Sequence, residues 1–142
     1  MKIVQQLLEA KGSDVWSVAP DETVYEAVRR MAEKEVGALL VMEGERLVGI
    51  LSERDYARQV ILKGRASRDT PVRDIMTRDV VTGRRDHRID VCMARMTECR
   101  IRHLPIVEDS QVLGMISIGD LVKAIIAEQQ ATIEQLEQYI TG

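Results

Sequence analysis

Residues 38–55 read ALLVMEGERLVGILSERD, and residues 103–120 read HLPIVEDSQVLGMISIGD. The two stretches align without a gap at an offset of 65. In each, an apolar run, a polar turn and a second apolar run lead into a Gly-x-x-Ser-x-x-Asp motif: Gly49, Ser52 and Asp55, then Gly114, Ser117 and Asp120. Short apolar runs split by turn residues predict paired strands. The correspondence widens at the same offset, residues 15–62 falling on 80–127. Asp21 meets Asp86, Arg30 meets Arg95, Met31 meets Met96 and Ile61 meets Ile126. One offset held across 48 positions marks an internal duplication.

Each copy predicts the element order β-α-β-β-α. In the first, Thr23 and Glu26 form a T-x-x-E capping box. Val24, Ala27, Val28, Met31 and Ala32 follow at the spacing of one apolar helix face. Ile89, Cys92, Met93 and Met96 keep that spacing in the second. The strands are Ala38–Met42 and Arg46–Leu51, then His103–Val107 and Val112–Ile116. A closing helix begins near Asp55 and near Asp120. Short extended pieces at Val15–Val18 and Val80–Thr82 open the copies. The class is therefore α+β. A unit of about 60 residues buries too little surface to stand comfortably alone, so the copies are expected to share a core.

The organisation expected is an N-terminal helix over 1–10, a first repeat over 11–62, a linker over 63–74, a second repeat over 75–127 and a C-terminal helix over 128–142. Ile133, Leu136 and Ile140 share one face of that last helix, a stripe expected to dock on the body or on a second subunit.

Composition narrows the function. The 142 residues are 45% hydrophobic and 30% charged, with a net charge of −3, a soluble globular balance. An acidic chain gives no electrostatic reason to expect nucleic acid or an anionic membrane. Ten of the fifteen arginines lie between Arg65 and Arg102, but acids are interleaved and a solvated surface is the expectation. No run approaches the ~20 apolar residues of a membrane span, and the start has no signal-peptide pattern. A cytoplasmic protein is expected. Cys92 and Cys99 would stand about 10 Å apart on a helix, too far for a disulfide, and are expected as free thiols. No catalytic triad, Walker loop or metal-ligand cluster is present, so neither an enzyme nor a metal site is expected.

Two readings of the Ser-x-x-Asp motif stand side by side. As a helix cap, the serine satisfies an orphan N–H and the aspartate suits the positive helix end. As a binding site, that helix end receives a phosphate and the aspartate accepts hydrogen bonds from both hydroxyls of a ribose. The glycine three residues before the serine would permit close backbone approach.

The repeat, its element order and its G-x-x-S-x-x-D ending resemble the CBS domain, named after cystathionine β-synthase. SERDYAR, RHLPIV and SIGDLVK resemble small bacterial proteins made of a single CBS pair. The resemblance covers about residues 10 to 142. It implies two repeats packed about a pseudo-two-fold axis, a homodimer, and clefts between repeats that bind an adenosine ligand such as AMP, ADP, ATP, NAD(H) or S-adenosylmethionine. It further implies that Asp55 and Asp120 each hold a ribose, with Ser52 and Ser117 supporting ribose or phosphate. Arg54 and Gly119 then lie near phosphate. Arg102 and His103 match a phosphate-contacting position, whereas their first-repeat counterparts Gly37 and Ala38 carry no charge, making the Asp120 cleft the better one for a phosphorylated ligand. Adenine is expected against Trp16 and Val81, with Val36 and Ile101 nearby. One departure is VVTGRRDHRID, where Gly83 and Arg85 replace the more usual β-branched and proline residues. The resulting expectation is a non-catalytic regulatory sensor without a catalytic cofactor; the alternative is a dimerisation scaffold whose motifs are only helix caps, with an unidentified protein partner.

Overall fold

A computed structural model describes residues 2–141. The chain forms two compact units. One contains Asp14–Val81 with the short Asp109–Val112 turn segment. The other contains the segment through Ser13, Thr82–Glu108 and the chain from Leu113 onward. Helices and strands mix in both, the α+β class expected.

The first of these units is built from β1 (Ser17–Val18), α2 (Val24–Lys34), β2 (Ala38–Glu43), β3 (Arg46–Ser52) and α3 (Glu53–Tyr56). A π-helical turn over Ala57–Ile61 and a 3-10 turn over Val72–Asp74 complete it. Strands β1 and β2 run parallel and β2 and β3 antiparallel, with Ala38 opposite Ser52 and Glu43 opposite Arg46. The two-residue turn passes through Gly44 at φ +64°. Thr23 Oγ1 accepts the Glu26 N–H at 3.2 Å, half of the box predicted there. Val24, Ala27 and Met31 are buried on the inner helix face against Leu39, Val41 and Leu51. Each such aliphatic burial is worth roughly 1.5–3 kcal/mol.

The other unit holds α1 (Val4–Lys11), α4 (Ile89–Cys99), β4 (His103–Glu108), β5 (Gln111–Ser117) from Leu113 onward, and α5 (Ile118–Thr141). Strands β4 and β5 form a two-stranded sheet, joined at Asp109 and Ser110, both left-handed (φ +50° and +64°). Ile89, Cys92, Met96, Leu104, Ile116 and Leu121 are buried. The duplication reaches the helix ends. Glu35 and Arg100, 65 apart, both adopt the left-handed conformation after α2 and α4. The next N–H, of Val36 or Ile101, returns to Met31 O or Met96 O at 3.0 Å.

Three elements differ from the sequence expectation. The opening strand placed at Val80–Thr82 is absent: a lone parallel bridge pairs Gly83 with Ile106. The reason lies across the sheet. In the first copy Leu40 N–H donates to Trp16 O at 3.1 Å. The counterpart of Leu40 is Pro105, which has no N–H to give. Residues 63–74, expected as a linker, end inside the fold: Val72 is fully buried and Pro71 bridges to Thr23. The C-terminal helix does not begin at 128 but continues α5 without a break from Ile118.

The N-terminal helix forms over Val4–Lys11 and buries Val4, Leu7 and Leu8. Met1 and Gly142, the outer ends of the terminal helices expected from sequence, lie outside the described residues. Lys2, ahead of α1, caps α4: Ile89 N–H donates to Lys2 O at 3.0 Å, where Arg88 supplies no side-chain cap.

Candidate functional site

Each Ser-x-x-Asp turn is held where a strand passes into a helix. In the first repeat Ser52 Oγ accepts the Asp55 N–H at 3.2 Å. Asp55 Oδ2 accepts the Ser52 N–H at 2.9 Å and its hydroxyl at 3.0 Å. In the second, Ser117 Oγ accepts the Asp120 N–H at 3.1 Å, and Asp120 Oδ2 accepts the Ser117 N–H at 2.8 Å. The reciprocal helix cap is thus present in both copies. It occupies one carboxylate oxygen in each pair of bonds, and a carboxylate has two.

The same turns are tied to the start of the central strand. Glu53 N–H donates to Gly37 O at 3.1 Å, and Ile118 N–H donates to Arg102 O at 2.9 Å. Each unit therefore brings together its motif and the residues two strands earlier: Val36-Gly37-Ala38 beside Ser52–Asp55, and Ile101-Arg102-His103 beside Ser117–Asp120. One triplet has no ionisable side chain, and the other carries an exposed Arg102 and a half-buried His103. Ala38 is fully buried, so its surface is turned into the core.

The two aspartates differ in their further neighbours: Asp55 is met on its second oxygen, Oδ1, whereas Asp120 is met on Oδ2, the oxygen that already accepts the Ser117 N–H. Thr77 Oγ1 donates to Asp55 Oδ1 at 3.4 Å. On Asp120 the visitor is a cation. Lys11 Nζ, at the end of α1, lies 2.6 Å from Asp120 Oδ2 and 2.8 Å from Met115 O. Burial pushes the Asp120 carboxyl up, but the Lys11 ammonium and the Ser117 N–H together outweigh it and hold the carboxyl below its ordinary value of 3.8. A lowered folded-state value means a stability contribution present above 3.8 that is lost as pH falls through the folded-state value. Replacing Lys11 by Met is expected to raise the Asp120 pKa, since burial loses its main counterweight. It should cost about 0.5–1 kcal/mol, the range of a partly exposed pair. Carboxyl carbon shifts followed against pH would check this, and an unchanged Asp120 titration would remove Lys11 from the site. Neither Lys11 nor Thr77 was anticipated from sequence.

The remaining expected residues are distributed as follows. Trp16 is 37% exposed and Lys34 Nζ stands 4.4 Å from its ring centroid, a cation–π contact on one face. Val81 and Ile101 are half-buried, and Arg54 and Gly119 are exposed. A cavity of about 550 Å³ lies within the first unit, lined by residues that include Val28, Met31, Val36, Gly37, Glu53 and Tyr56. Ser52 and Asp55 are not among its lining residues. His87, in a turn, accepts the Arg84 N–H on Nδ1 at 3.2 Å. Cys92 is buried and Cys99 exposed, both free thiols. Among the described residues no cluster suited to a metal ion is found, and no helix is long and apolar enough to cross a membrane.

The CBS domain description matches residues 11–61 and 72–127, the two copies found by self-comparison. The chain belongs to the CBS-domain family. CBS domain pairs are regulatory modules. A mitochondrial CBS domain-containing protein of Arabidopsis thaliana, CBSX3, is 42% identical over 138 residues, covering 94% of this chain and 66% of that protein. The chain thus spans just under two thirds of that relative, and 22% of two further Arabidopsis CBS-domain relatives. A solved protein with CBS domains from Burkholderia ambifaria is 47% identical with a TM-score of 0.87, covering 90% of this chain and 96% of its own. The CBS domain pair of protein MJ0100, solved with 5′-methylthioadenosine and S-adenosyl-L-methionine, superposes with a TM-score of 0.77 at 22% identity, covering 90% and 98% of the two chains. At that identity the likeness is one of fold.

Proposed function

We propose that this CBS pair is a non-catalytic sensor of an adenosine-containing ligand, working as a cytoplasmic homodimer, with the Asp120 motif as its principal site. One observation carries the reading. In a single unit the Ser117–Asp120 turn, the Arg102 backbone and the Lys11 ammonium converge, so that the carboxylate has one cationic side chain against it and a second cationic residue held at the turn by its backbone. A ribose needs the carboxylate, and a phosphate needs the cations. Asp120 accepts from the ribose hydroxyls, and Lys11 with Arg102 takes the phosphate side, as His103 does when protonated. Ser117 and Gly119 line the turn. The Asp55 motif, with Ser52, Arg54, Gly37 and Ala38, is a second and weaker site lacking that charge, and Trp16, Val36, Val81 and Ile101 remain the candidates for adenine. The occurrence of adenosyl ligands in the MJ0100 pair supports the ligand class. The scaffold alternative draws on the closed helix caps in both copies, which need no ligand.

Thermal unfolding against AMP, ADP, ATP, NAD, NADH and S-adenosylmethionine tests the proposal. A ligand at ~100 times its Kd stabilises the folded state by about 2.7 kcal/mol. For a domain of this size the melting temperature should rise by about 2–8 °C. A flat response to all six at millimolar concentration would favour the scaffold.

A further inference from the structure

The described part of α5 runs for 24 residues, and among the described residues its outer half is exposed. Ile126, Ile133, Leu136 and Ile140 are 59%, 48%, 57% and 82% exposed. The stripe expected to dock is therefore free of the body. It is also ordered. Val122, Ile126, Gln129, Ile133, Leu136 and Ile140 follow one another at alternating steps of four and three. That is the a/d seam of a coiled coil, with isoleucine at every a position and a single polar residue, Gln129, at d. A solvated helix has no use for such a seam, and an exposed apolar row of this length marks an interaction surface.

We infer that α5 pairs antiparallel with α5 of a second copy of this chain. The inference rests on the homodimer in the preceding reading only for the second copy; the ligand plays no part in it. The charges choose the orientation. Lys123 is the only basic residue in Ile118–Thr141, while Glu134 and Glu137 make the distal half acidic. A parallel pair would lay the acidic halves side by side. An antiparallel pair sets Lys123 of each helix, at an e position, across from Glu137 of the second copy, also at e, and opposes the two helix dipoles. The seam then closes in register: Ile126 packs on Leu136 of the second copy, Val122 on Ile140 and Gln129 on Ile133. Two Gln130 side chains meet beside the two-fold axis. The seam spans about 27 Å. At under three heptads it is short for free peptides, but each helix here is already anchored at its start by the buried Leu121.

The test is a charge swap read by sedimentation equilibrium on the full chain. Lys123→Glu and Glu137→Lys should each weaken self-association about tenfold, as two exposed pairs pass from attraction to repulsion. The double variant should return to within about twofold of the starting affinity, since an antiparallel pair regains both contacts. Additive weakening in the double variant would overturn the orientation. Ile133→Lys, at an exposed position that leaves the fold intact by circular dichroism, should weaken association by at least about a hundredfold; unchanged association would overturn the seam itself. Nucleotide-dependent melting of the same variants reads the sensor separately, so either idea can fail without the other.

Discussion

Asp120→Ala is expected to abolish the melting response to the adenosine ligand while leaving a folded protein. The carboxylate supplies the acceptors for two ribose hydroxyls, and a hydrogen bond to a charged group is worth about 1.5–3 kcal/mol. Losing both weakens binding by a factor of about a hundred to ten thousand. The intrinsic cost is much smaller. The cap on Ser117 N–H and the Lys11 pair are partly exposed contacts, together worth about 1–2 kcal/mol. The two quantities separate the readings, because a scaffold predicts only the second. Asp55→Ala serves as the internal comparison: it removes the same cap from a turn whose neighbouring strand carries Gly37 and Ala38, and should leave the response to a phosphorylated ligand largely in place. Retention of the full ligand response in Asp120→Ala, measured by calorimetric titration as well as melting, would sink the sensor proposal at this site.

Much of this architecture could be read from the chain because the duplication is local in its signals. The strand pairs, the turn at Gly44 and the apolar helix faces depend on residues within a few positions of one another, and each recurs at the offset of 65. The Ser-x-x-Asp bonds are local too, spanning three residues in both copies. What escaped was contact over distance. Lys11 and Asp120 are separated by 109 residues, and nothing in MKIVQQLLEAKG marks its last lysine for that carboxylate. The missing strand at Val80–Thr82 was written in Pro105, but only as seen from the opposite strand, where the absent N–H falls. The continuity of α5 is written locally as well: no glycine or proline interrupts residues 120–141. The glycines of the motif also make room for the protein itself: a Cβ at Gly49 would meet Met76 and Thr77, and one at Gly114 would meet Leu8.

Gly49→Val is accordingly expected to be among the most damaging single changes in the chain, costing about 3 kcal/mol. A Cβ at Gly49 would stand 2.7 Å from Met76 Sδ and 3.0 Å from the Thr77 carbonyl oxygen. Methionine can bend away, but the carbonyl cannot: Thr77 O accepts the Ile50 N–H at 3.0 Å, and Thr77 N–H donates back to Ile50 O at 2.9 Å. Any retreat of Thr77 breaks a backbone pair at the buried edge of β3 and draws Met76 and Ile75 out of the core. Overpacking of a well-filled site costs about 1–3 kcal/mol, and valine adds two further methyls to a clash already present with alanine. Gly114 gives the contrast at the equivalent position of the second repeat. Its nearest obstacle is the Leu8 Cδ2 tip at 2.8 Å, the far end of a side chain on α1. Gly114→Ala should therefore cost about 1 kcal/mol, taken up by a rotation of Leu8 or a small shift of α1, and less than Gly49→Ala in the same denaturant series. Equal losses at the two positions would mean that α1 is held as rigidly on β5 as Thr77 is on β3. In that case Lys11 could not leave Asp120 by a shift of its helix, and only its own side-chain rotation would open the carboxylate to a ribose.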